Sequence, residues 1–335
     1  MHWASNSPRA AYAEHVRDNL AGKAMETSWF AERPVGELRP GDHAWLAFGT
    51  REEREDVIDA FVQDALAGVE PEKVVYVTDA PPDDLPGVRP RDGVDLRART
   101  RSNQLRVIPR EQACLDRHGR FDPDRMLDTL AREVEQADGQ GFRAVRLTTD
   151  FSWLLTGPHR GDLERMLCCE HMFDETVSPS TMAMAICQVD RAACPPEQLA
   201  ALRDTHEVLV EVNPQFNDGI LKIVRTYDPP GLRVEGELDA ARHQVFAQEL
   251  ALVTASRRRA HLDFSRLGFI DLAGLNLLAL HATGLPGGGP LVLDNLPPDV
   301  ENVIEMVGWH RLPGLARGRL HPRSEAESAV GGTAS

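Results

Sequence analysis

The sequence has few aromatic residues, a shortage of positive charge and no long apolar run. Of its 335 residues 6% are aromatic, and 37 lysines and arginines stand against 52 aspartates and glutamates, which gives a formal net charge of -15. Nucleic acids and anionic membranes attract positive charge, so this balance disfavours both as partners. No apolar stretch approaches the roughly 20 residues that a bilayer-spanning helix needs. We therefore expect no nucleic-acid partner and no membrane partner.

Cysteine is also scarce, and its five positions do not suggest a disulfide framework. The number is odd, and no cysteine follows Cys194. The N-terminus lacks the apolar segment of a secretory signal, so we expect reduced thiols and a cytoplasmic location. Cys168, Cys169 and His171 are close in sequence but lack the paired Cys-x-x-Cys spacing of a structural zinc site. The sequence therefore predicts no metal site and no cofactor.

Motifs that carry catalysis are missing as well. The chain has no Gly-x4-Gly-Lys-Ser/Thr loop to cradle phosphates, and it has neither a Gly-x-Ser-x-Gly nor a His-Glu-x-x-His motif. We therefore expect a protein that is not an enzyme.

Length and composition predict two folded domains between short flanking segments. At about 100 to 200 residues per domain, 335 residues are enough for two hydrophobic cores. The polar residues 1–28 are expected to be flexible or helical, and residues 321–335 have the composition of a disordered tail. The first domain is predicted to span residues 29–215 and the second residues 216–320.

In the first domain, buried strands alternate with amphipathic helices. His43–Phe48 has the pattern of a buried strand, Arg51–Ala67 that of a helix capped by Thr50, and Val74–Val77 that of a second strand. Similar pairs follow up to a last strand at Met182–Val189. This alternation predicts a parallel sheet that is covered on both faces.

The second domain begins with a predicted hairpin, Ile220–Thr226 and Leu232–Leu238. Asp239 is predicted to cap the first helix, His261–Phe264 to form a buried strand, and Asp271 to cap the second helix. With one further strand and helix the order is ββαβαβα, which is typical of a small α/β domain with a mixed sheet.

The stretch Leu-Asp-Phe-Ser-Arg-Leu-Gly-Phe-Ile-Asp-Leu-Ala-Gly-Leu at residues 262–275 resembles the STAS family of anti-sigma-factor antagonists. This resemblance covers the whole second domain and implies an anti-sigma factor or a related serine kinase as partner. In that family a serine or threonine at the start of this helix is phosphorylated, which adds about -1.5 to -2 charges and alters the docking surface. Here Leu272 and Ala273 occupy the two serine positions, so the usual phosphoacceptor is absent.

The same resemblance implies a partner-binding surface around the start of the second helix. Its candidate residues are Asp239, Asp271, Leu272, Ala273, Gly274 and Leu275. Two of them have purely structural alternatives. Asp271 is explained equally by an N-cap, and Gly274 by close packing of the helix against its neighbours.

The first domain carries His43, Gly-Arg-Phe-Asp-Pro at 119–123, Asp-Phe-Ser-Trp at 150–153, Glu170 and Cys-Gln-Val-Asp at 187–190. In this order they resemble the MEDS sensory family, over residues 35–215. The resemblance implies a core shared with RecA-like and KaiC-like ATPases and a small-molecule ligand.

The candidate ligand-binding residues are His43, Asp150, Trp153 and Glu170. Asp150, Trp153 and Glu170 could line one crevice at the carboxyl ends of the strands, where open α/β sheets bind ligands. His43 begins its strand and should lie at the opposite edge. The alternatives are a structural histidine, a capping aspartate and a tryptophan in the core or the pocket wall, and Cys187 is interpreted as a small buried hydrophobic residue.

The two resemblances together predict an α/β protein in which a RecA/KaiC-like parallel-sheet sensory domain precedes a smaller STAS-like domain. Our leading hypothesis is a cytoplasmic signalling regulator whose first domain senses a ligand and whose second binds an anti-sigma factor or kinase. The alternative is a nucleotide-binding or nucleotide-hydrolysing RecA-like protein. Whether the chain forms a homodimer is left open.

Overall fold

The computed structural model describes residues 30–89, 94–156, 163–173, 176–255, 259–285 and 290–319. The flanking segments predicted at 1–28 and 321–335 lie outside these described residues. The chain divides into two compact units that meet between Glu211 and Val212, a few residues before the expected boundary at 215.

The first unit is built on a sheet of seven parallel strands within the described residues. The strands are β1 (Ala31–Pro34), β2 (His43–Phe48), β3 (Glu72–Val77), β4 (Leu105–Ile108), β5 (Ala144–Asp150), β6 (Ala183–Asp190) and β7 (Val208–Glu211). Their order across the sheet is β1-β7-β2-β6-β5-β3-β4. The last strand, β7, is thus inserted between the first two. The predicted parallel sheet is confirmed.

Helices connect these strands. They are α1 (Arg51–Ala67), α2 (Leu96–Arg101), α3 (Arg110–Ala113), α4 (Pro123–Gly139), α5 (Ser152–Leu155), α6 (Leu163–Met172) and α7 (Pro196–Arg203). The predicted cap of α1 is confirmed, because the Thr50 side chain accepts a hydrogen bond from the Glu53 amide. Asp122 caps α4 in the same way, accepting from the Arg125 amide.

The second unit contains a six-stranded mixed sheet and three helices in its described part. The strands are β8 (Phe216–Asn217), β9 (Leu221–Tyr227), β10 (Pro230–Leu238), β11 (Ala260–Ile270), β12 (Leu291–Asp294) and β13 (Leu315–Arg317). The helices are α8 (His243–Ala255), α9 (Leu272–Gly284) and α10 (Pro298–Met306). Strands β10 to β13 run parallel, while β8 and β9 are antiparallel to their neighbours.

Two sequence predictions in this unit need correction. The strand predicted at His261–Phe264 continues to Ile270, because β11 pairs with β10 over its whole length through two register shifts. The predicted helix cap at Asp239 is wrong, since α8 begins only at His243. Asp239 instead accepts hydrogen bonds from the Ala241 amide and from Arg242.

Each unit has its own apolar core. In the first, Met126 and Leu130 of α4 pack with Leu147 of β5 in a buried cluster. In the second, Phe246 of α8 and Phe264 of β11 are completely buried. Among the described residues, none of the helices combines the length and the apolar character needed to cross a bilayer.

Candidate functional site

Four ligand-type side chains that are far apart in the sequence meet inside the first unit. His43 begins β2, Glu170 lies on α6, Cys187 lies in β6, and His206 stands between α7 and β7. None of the four is more than 5% exposed. One ligand atom from each can be chosen so that all four atoms lie within 4.8 Å of one another.

One carboxylate oxygen is the centre of this buried cluster. Glu170 Oε2 lies 3.0 Å from His43 Nε2, 3.3 Å from Cys187 Sγ and 3.4 Å from His206 Nε2. His43 Nε2 is also 3.3 Å from Cys187 Sγ. The other carboxylate oxygen, Glu170 Oε1, is buried and makes no hydrogen bond with any described residue.

The surroundings fix the orientation of both imidazoles. His206 Nδ1 lies 2.9 Å from the Leu202 carbonyl oxygen, to which it donates a hydrogen bond. The other ring nitrogen, Nε2, faces the Glu170 carboxylate. The His43 ring stacks on Phe173 at a centroid distance of 4.8 Å, and the His206 ring lies 5.1 Å from that of Trp45. Aromatic rings thus pack directly against both histidines of the buried cluster.

Burial and mutual contact shift the pKa values in the cluster in opposite directions. Burial alone would raise the pKa of Glu170, but His206 and His43 lower it below its ordinary value. Burial, together with the Glu170 carboxylate, raises the pKa of the Cys187 thiol well above its ordinary value. The cluster by itself therefore holds a carboxylate beside a neutral thiol.

The residues that were predicted from the sequence to bind a ligand lie in different parts of the first unit. Cys187 of β6 pairs with Thr149 of β5, and Asp150 pairs with Gln188, one residue further along each strand. Successive side chains of a strand point to opposite faces, so Asp150 lies on the face opposite Cys187 and its partner Glu170. The expectation that Asp150 and Glu170 line one crevice is therefore wrong. Glu170 joins His43 instead.

Asp150 supports a separate cleft at the carboxyl ends of the strands. Its Oδ2 lies 3.0 Å from Nη2 of Arg54, whose Nε also donates to Gln188 Oε1 at 2.8 Å. Arg54 lines a cavity of about 500 Å³ together with Phe48, Leu85 and other residues around the start of α1. The Asp150 carboxylate thus neutralises and positions a cation in the cleft wall, at the edge where open α/β sheets bind ligands.

Side chains of the protein already bind amide groups near the start of α1 that could otherwise bind a phosphate. The Glu53 amide donates to Thr50 Oγ1 at 3.1 Å, and the Gly49 amide donates to Glu53 Oε2 at 2.7 Å. Thr50 thus caps the helix, while the Glu53 side chain reaches back to the amide of the residue before the cap. Arg191 also donates to Glu53 Oε2 at 2.9 Å. Two amides that would bind an anion at this position are thus already engaged by a side chain.

Trp153 belongs to the apolar core rather than to the cleft. It packs against that core, with its ring 6.2 Å from the Phe121 ring in an edge-to-face arrangement. The Arg110 guanidinium lies 4.9 Å from the Trp153 ring centroid and covers it. The core alternative therefore describes Trp153 better than a specific ligand contact.

In the second unit, Asp271 is held at the first turn of α9 by two hydrogen bonds. Its Oδ1 accepts from the Gly274 amide at 2.7 Å and lies 2.8 Å from Nε2 of His243, which begins α8. The Gly274 amide, followed by His243, lowers the pKa of Asp271 below its ordinary value. The predicted N-cap is confirmed, and it also ties α9 to α8.

The other residues predicted at this helix tip are divided between surface and interior. Leu272 is 64% exposed and Ala273 is exposed, whereas Gly274 and Leu275 are buried. A Cβ atom at Gly274 would lie 3.0 Å from Ile270 Cγ1 and 3.4 Å from His243 Nε2. The packing alternative thus accounts for Gly274, and the accessible part of the tip is Leu272 and Ala273.

Sequence reasoning overlooked His206 and gave Cys187 a purely apolar role. Cys168, Cys169 and His171 are close in sequence, but His171 Nδ1 bonds to the Leu167 carbonyl at 2.8 Å. His206 carries no local signal, because it belongs to no short motif and follows a short helix. Only the strand order brings it beside His43.

Each of the two units matches the model of a known protein family. The model of the MEDS family, the methanogen/methylotroph and DcmR sensory domain, matches residues 42–207, and a STAS domain model of the Mlab type matches residues 222–316. The chain therefore belongs to the proteins in which a MEDS domain is followed by a STAS domain. This pair of domains gives it a role in signalling or regulation.

Comparisons with individual proteins add little. The search of curated proteins gave no match. Among solved structures, a DnaB-like replicative helicase shares 7% identity over 70% of this chain and 66% of its own, with a TM-score of 0.35. The cytoplasmic domain of the Thermomonospora curvata type VII secretion ATPase EccC shares 11% identity over 87% of this chain and 50% of its own, with a TM-score of 0.27. The chain thus spans between half and two thirds of these structures.

Proposed function

We propose that this protein is a signalling regulator in which the MEDS domain senses a small ligand and the STAS domain binds an anti-sigma factor or a related serine kinase. The observation that carries the second half is the exposed apolar tip of α9, where Leu272 and Ala273 face solvent beside the capped Asp271. Covering an exposed leucine with a partner is favourable, since burial of this side chain stabilises a complex by about 1.5–3 kcal/mol.

Further exposed apolar side chains support a protein contact at this end of the sheet. Phe269, 49% exposed, pairs in register with Glu237, and the Glu237 amide donates to the carbonyl of Ile220, which is 48% exposed. Phe269 also stands only three residues before Leu272. Solvent-exposed apolar residues that lie together are a feature of protein interaction sites.

The test measures binding of the full chain to anti-sigma factors and serine kinases of the same organism. Leu272→Glu should weaken the complex by about 10-fold to 100-fold, because it removes a buried leucine and introduces an unpaired charge. Leu252→Glu on α8 is the matched control, since Leu252 is 66% exposed and Leu272 is 64% exposed. Gly274 is unsuitable for this purpose because its replacement would disturb the interior.

Two outcomes would count against the proposal. One is equal weakening by Leu272→Glu and Leu252→Glu, and the other is that no anti-sigma factor or kinase binds the wild-type chain. Far-ultraviolet circular dichroism of both variants establishes that each remains folded.

In this proposal, binding of the partner to the STAS domain is controlled without phosphorylation at the start of α9. Neither Leu272 nor Ala273 has a hydroxyl group to accept a phosphoryl group. Incubation with the bound kinase and ATP should leave residues 259–285 unmodified by mass spectrometry, whereas Ala273→Ser should gain a phosphate. Phosphate on wild-type Ser265 or Thr283 would contradict this part of the proposal.

For the sensory half, we assign ligand binding to the cleft of about 500 Å³ beside Arg54. Its size lies within the range typical of small-molecule sites. The paired Arg54 and Asp150 and the apolar Phe48 suit a small ligand with one polar end. Thermal unfolding in the presence of candidate ligands tests this, because a ligand that binds the folded state raises the unfolding temperature. Arg54→Met should abolish that rise.

A further inference from the structure

We propose that His43, Glu170, Cys187 and His206 form a site for a zinc-class divalent metal ion inside the MEDS domain. The proposal goes beyond the signalling role and does not depend on the partner of the STAS domain. It stands on the donor types, on the distances between them and on their burial.

The donor atoms all lie within 4.8 Å of one another, and four of the six distances between them are close to those of a tetrahedral site. Zinc binds imidazole nitrogen at about 2.0–2.1 Å and thiolate sulfur at about 2.3 Å, so two ligand atoms of a tetrahedron should be about 3.3–3.6 Å apart. The measured separations are 3.0 Å from Glu170 Oε2 to His43 Nε2 and 3.4 Å to His206 Nε2. Cys187 Sγ lies 3.3 Å from the same carboxylate oxygen and 3.3 Å from His43 Nε2.

Hydrogen bonding within the protein explains these contacts incompletely. With Nδ1 of His206 bonded to the Leu202 carbonyl, Nε2 of the ring is directed at Glu170 Oε2. A carboxylate oxygen and an imidazole nitrogen that face each other in an apolar interior need a proton or a metal cation between them. The Cys187 thiol reaches Glu170 Oε2, whereas the second carboxylate oxygen, Glu170 Oε1, has no hydrogen bond with any described residue.

A divalent ion satisfies all four groups at once. It accepts lone pairs from both imidazoles, and its two positive charges balance one carboxylate and one thiolate, which leaves the buried site neutral. The bond of His206 to the Leu202 carbonyl is the type of outer contact that orients a metal-binding histidine.

The donor set also selects the class of ion. Two nitrogens, one sulfur and one oxygen suit zinc and its softer transition-metal neighbours, whereas Mg²⁺ and Ca²⁺ prefer oxygen ligands. All four ligands come from the protein, so the site has the closed form typical of structural zinc. The ion would join β2, α6, β6 and the segment before β7.

The experiment uses the full chain, reduced and stripped of metal with a chelator, and titrates it with Co²⁺ and then Zn²⁺. Wild type should bind one Co²⁺ per chain with intense visible bands of a tetrahedral ion and a thiolate-to-cobalt charge-transfer band, and Zn²⁺ should displace it. Elemental analysis of protein purified without chelator should find the same site filled.

Two variants and a control identify the ligands. Cys187→Ser should lose the charge-transfer band, and His206→Gln should weaken Zn²⁺ binding at least about 100-fold, because loss of an outer group that only orients a ligand already costs 10-fold to 100-fold. Cys114→Ser is the control, since Cys114 is equally buried in the same domain but outside the cluster. It should keep both the band and the affinity.

The proposal is overturned if the wild-type chain binds neither Co²⁺ nor Zn²⁺ in stoichiometric amount, which would leave the four side chains as a hydrogen-bonded network. It is also overturned if the charge-transfer band persists in Cys187→Ser. Should that variant fail to fold, the wild-type titration and His206→Gln still decide the question.

Discussion

Replacement of Asp271 by alanine tests how the tip of α9 is held. The change removes the acceptor of the Gly274 amide and the partner of His243 in one step. Loss of an N-cap costs about 0.5–2 kcal/mol, and a partly exposed ion pair adds at most about 1 kcal/mol. Because the Asp271 side chain is 28% exposed, we expect a total near 1–2 kcal/mol.

Hydrogen exchange in the intact chain measures this loss within the STAS domain. The slowest amides of β11 and β12 should exchange about 5-fold to 30-fold faster in Asp271→Ala than in wild type. Asp271→Asn should have a smaller effect, since asparagine is an equally good N-cap and only the charge is lost. Gln248→Ala, at an exposed position of α8, is the control and should change little.

The contacts of Asp271 also predict how the stability of the protein depends on pH. The pKa of Asp271 is lowered in the folded protein, first by the Gly274 amide and then by His243. Its stabilisation is therefore fully present above the unfolded-state pKa of about 3.9 and is lost as the pH falls through the lower folded-state value. The difference between wild type and Asp271→Ala in urea unfolding should thus shrink between pH 5 and pH 3, the range we would compare. Equal exchange rates at neutral pH, or an asparagine as harmful as alanine, would refute the reasoning.

Two further predictions concern thiols and glycines. In native, metal-free protein a thiol reagent should modify Cys168 and Cys194 and spare Cys114, whose pKa burial raises to about 12, until the chain unfolds. Labelling of Cys114 as fast as Cys194, followed by mass spectrometry, would contradict this. Gly231→Ala should lower the unfolding temperature of the STAS domain by at least about 4–8 °C, because a Cβ would lie 1.8 Å from the His261 carbonyl oxygen. Gly268→Ala, whose Cβ would have 3.5 Å to its nearest neighbour, should not, and calorimetry compares the two.

Local patterns predicted the elements of the fold well. The strand His43–Phe48 and the helix Arg51–Ala67 have the predicted bounds, because an apolar run and a capping threonine act over a few neighbouring residues. The cap at Asp271 was predictable for the same reason. Short edge strands such as β1 and β13 were not, since three or four residues with mixed exposure carry no periodic signal.

The candidate sites were harder to predict, because they depend on which strands become neighbours. His43 and Glu170 were singled out separately, but nothing local shows that the strand order brings them together with Cys187 and His206. Asp150 follows Thr149, the residue of β5 that pairs with Cys187. Because neighbouring residues of a strand face opposite sides of the sheet, this difference of one position separates Asp150 from Glu170. Such relations are set by tertiary pairing and not by the segments themselves.

The position of β7 has a consequence for the synthesis of the chain on the ribosome. Val208 and Leu209 pair with Ala44 and Trp45 of β2, while β1 pairs with the other edge of β7. Until residues 208–211 leave the exit tunnel, a growing chain has an open sheet edge at β2 and lacks His206. Completion of the first domain therefore waits for its last strand, and a nascent chain in which β6 has paired with β2 carries an unprotected edge until β7 follows.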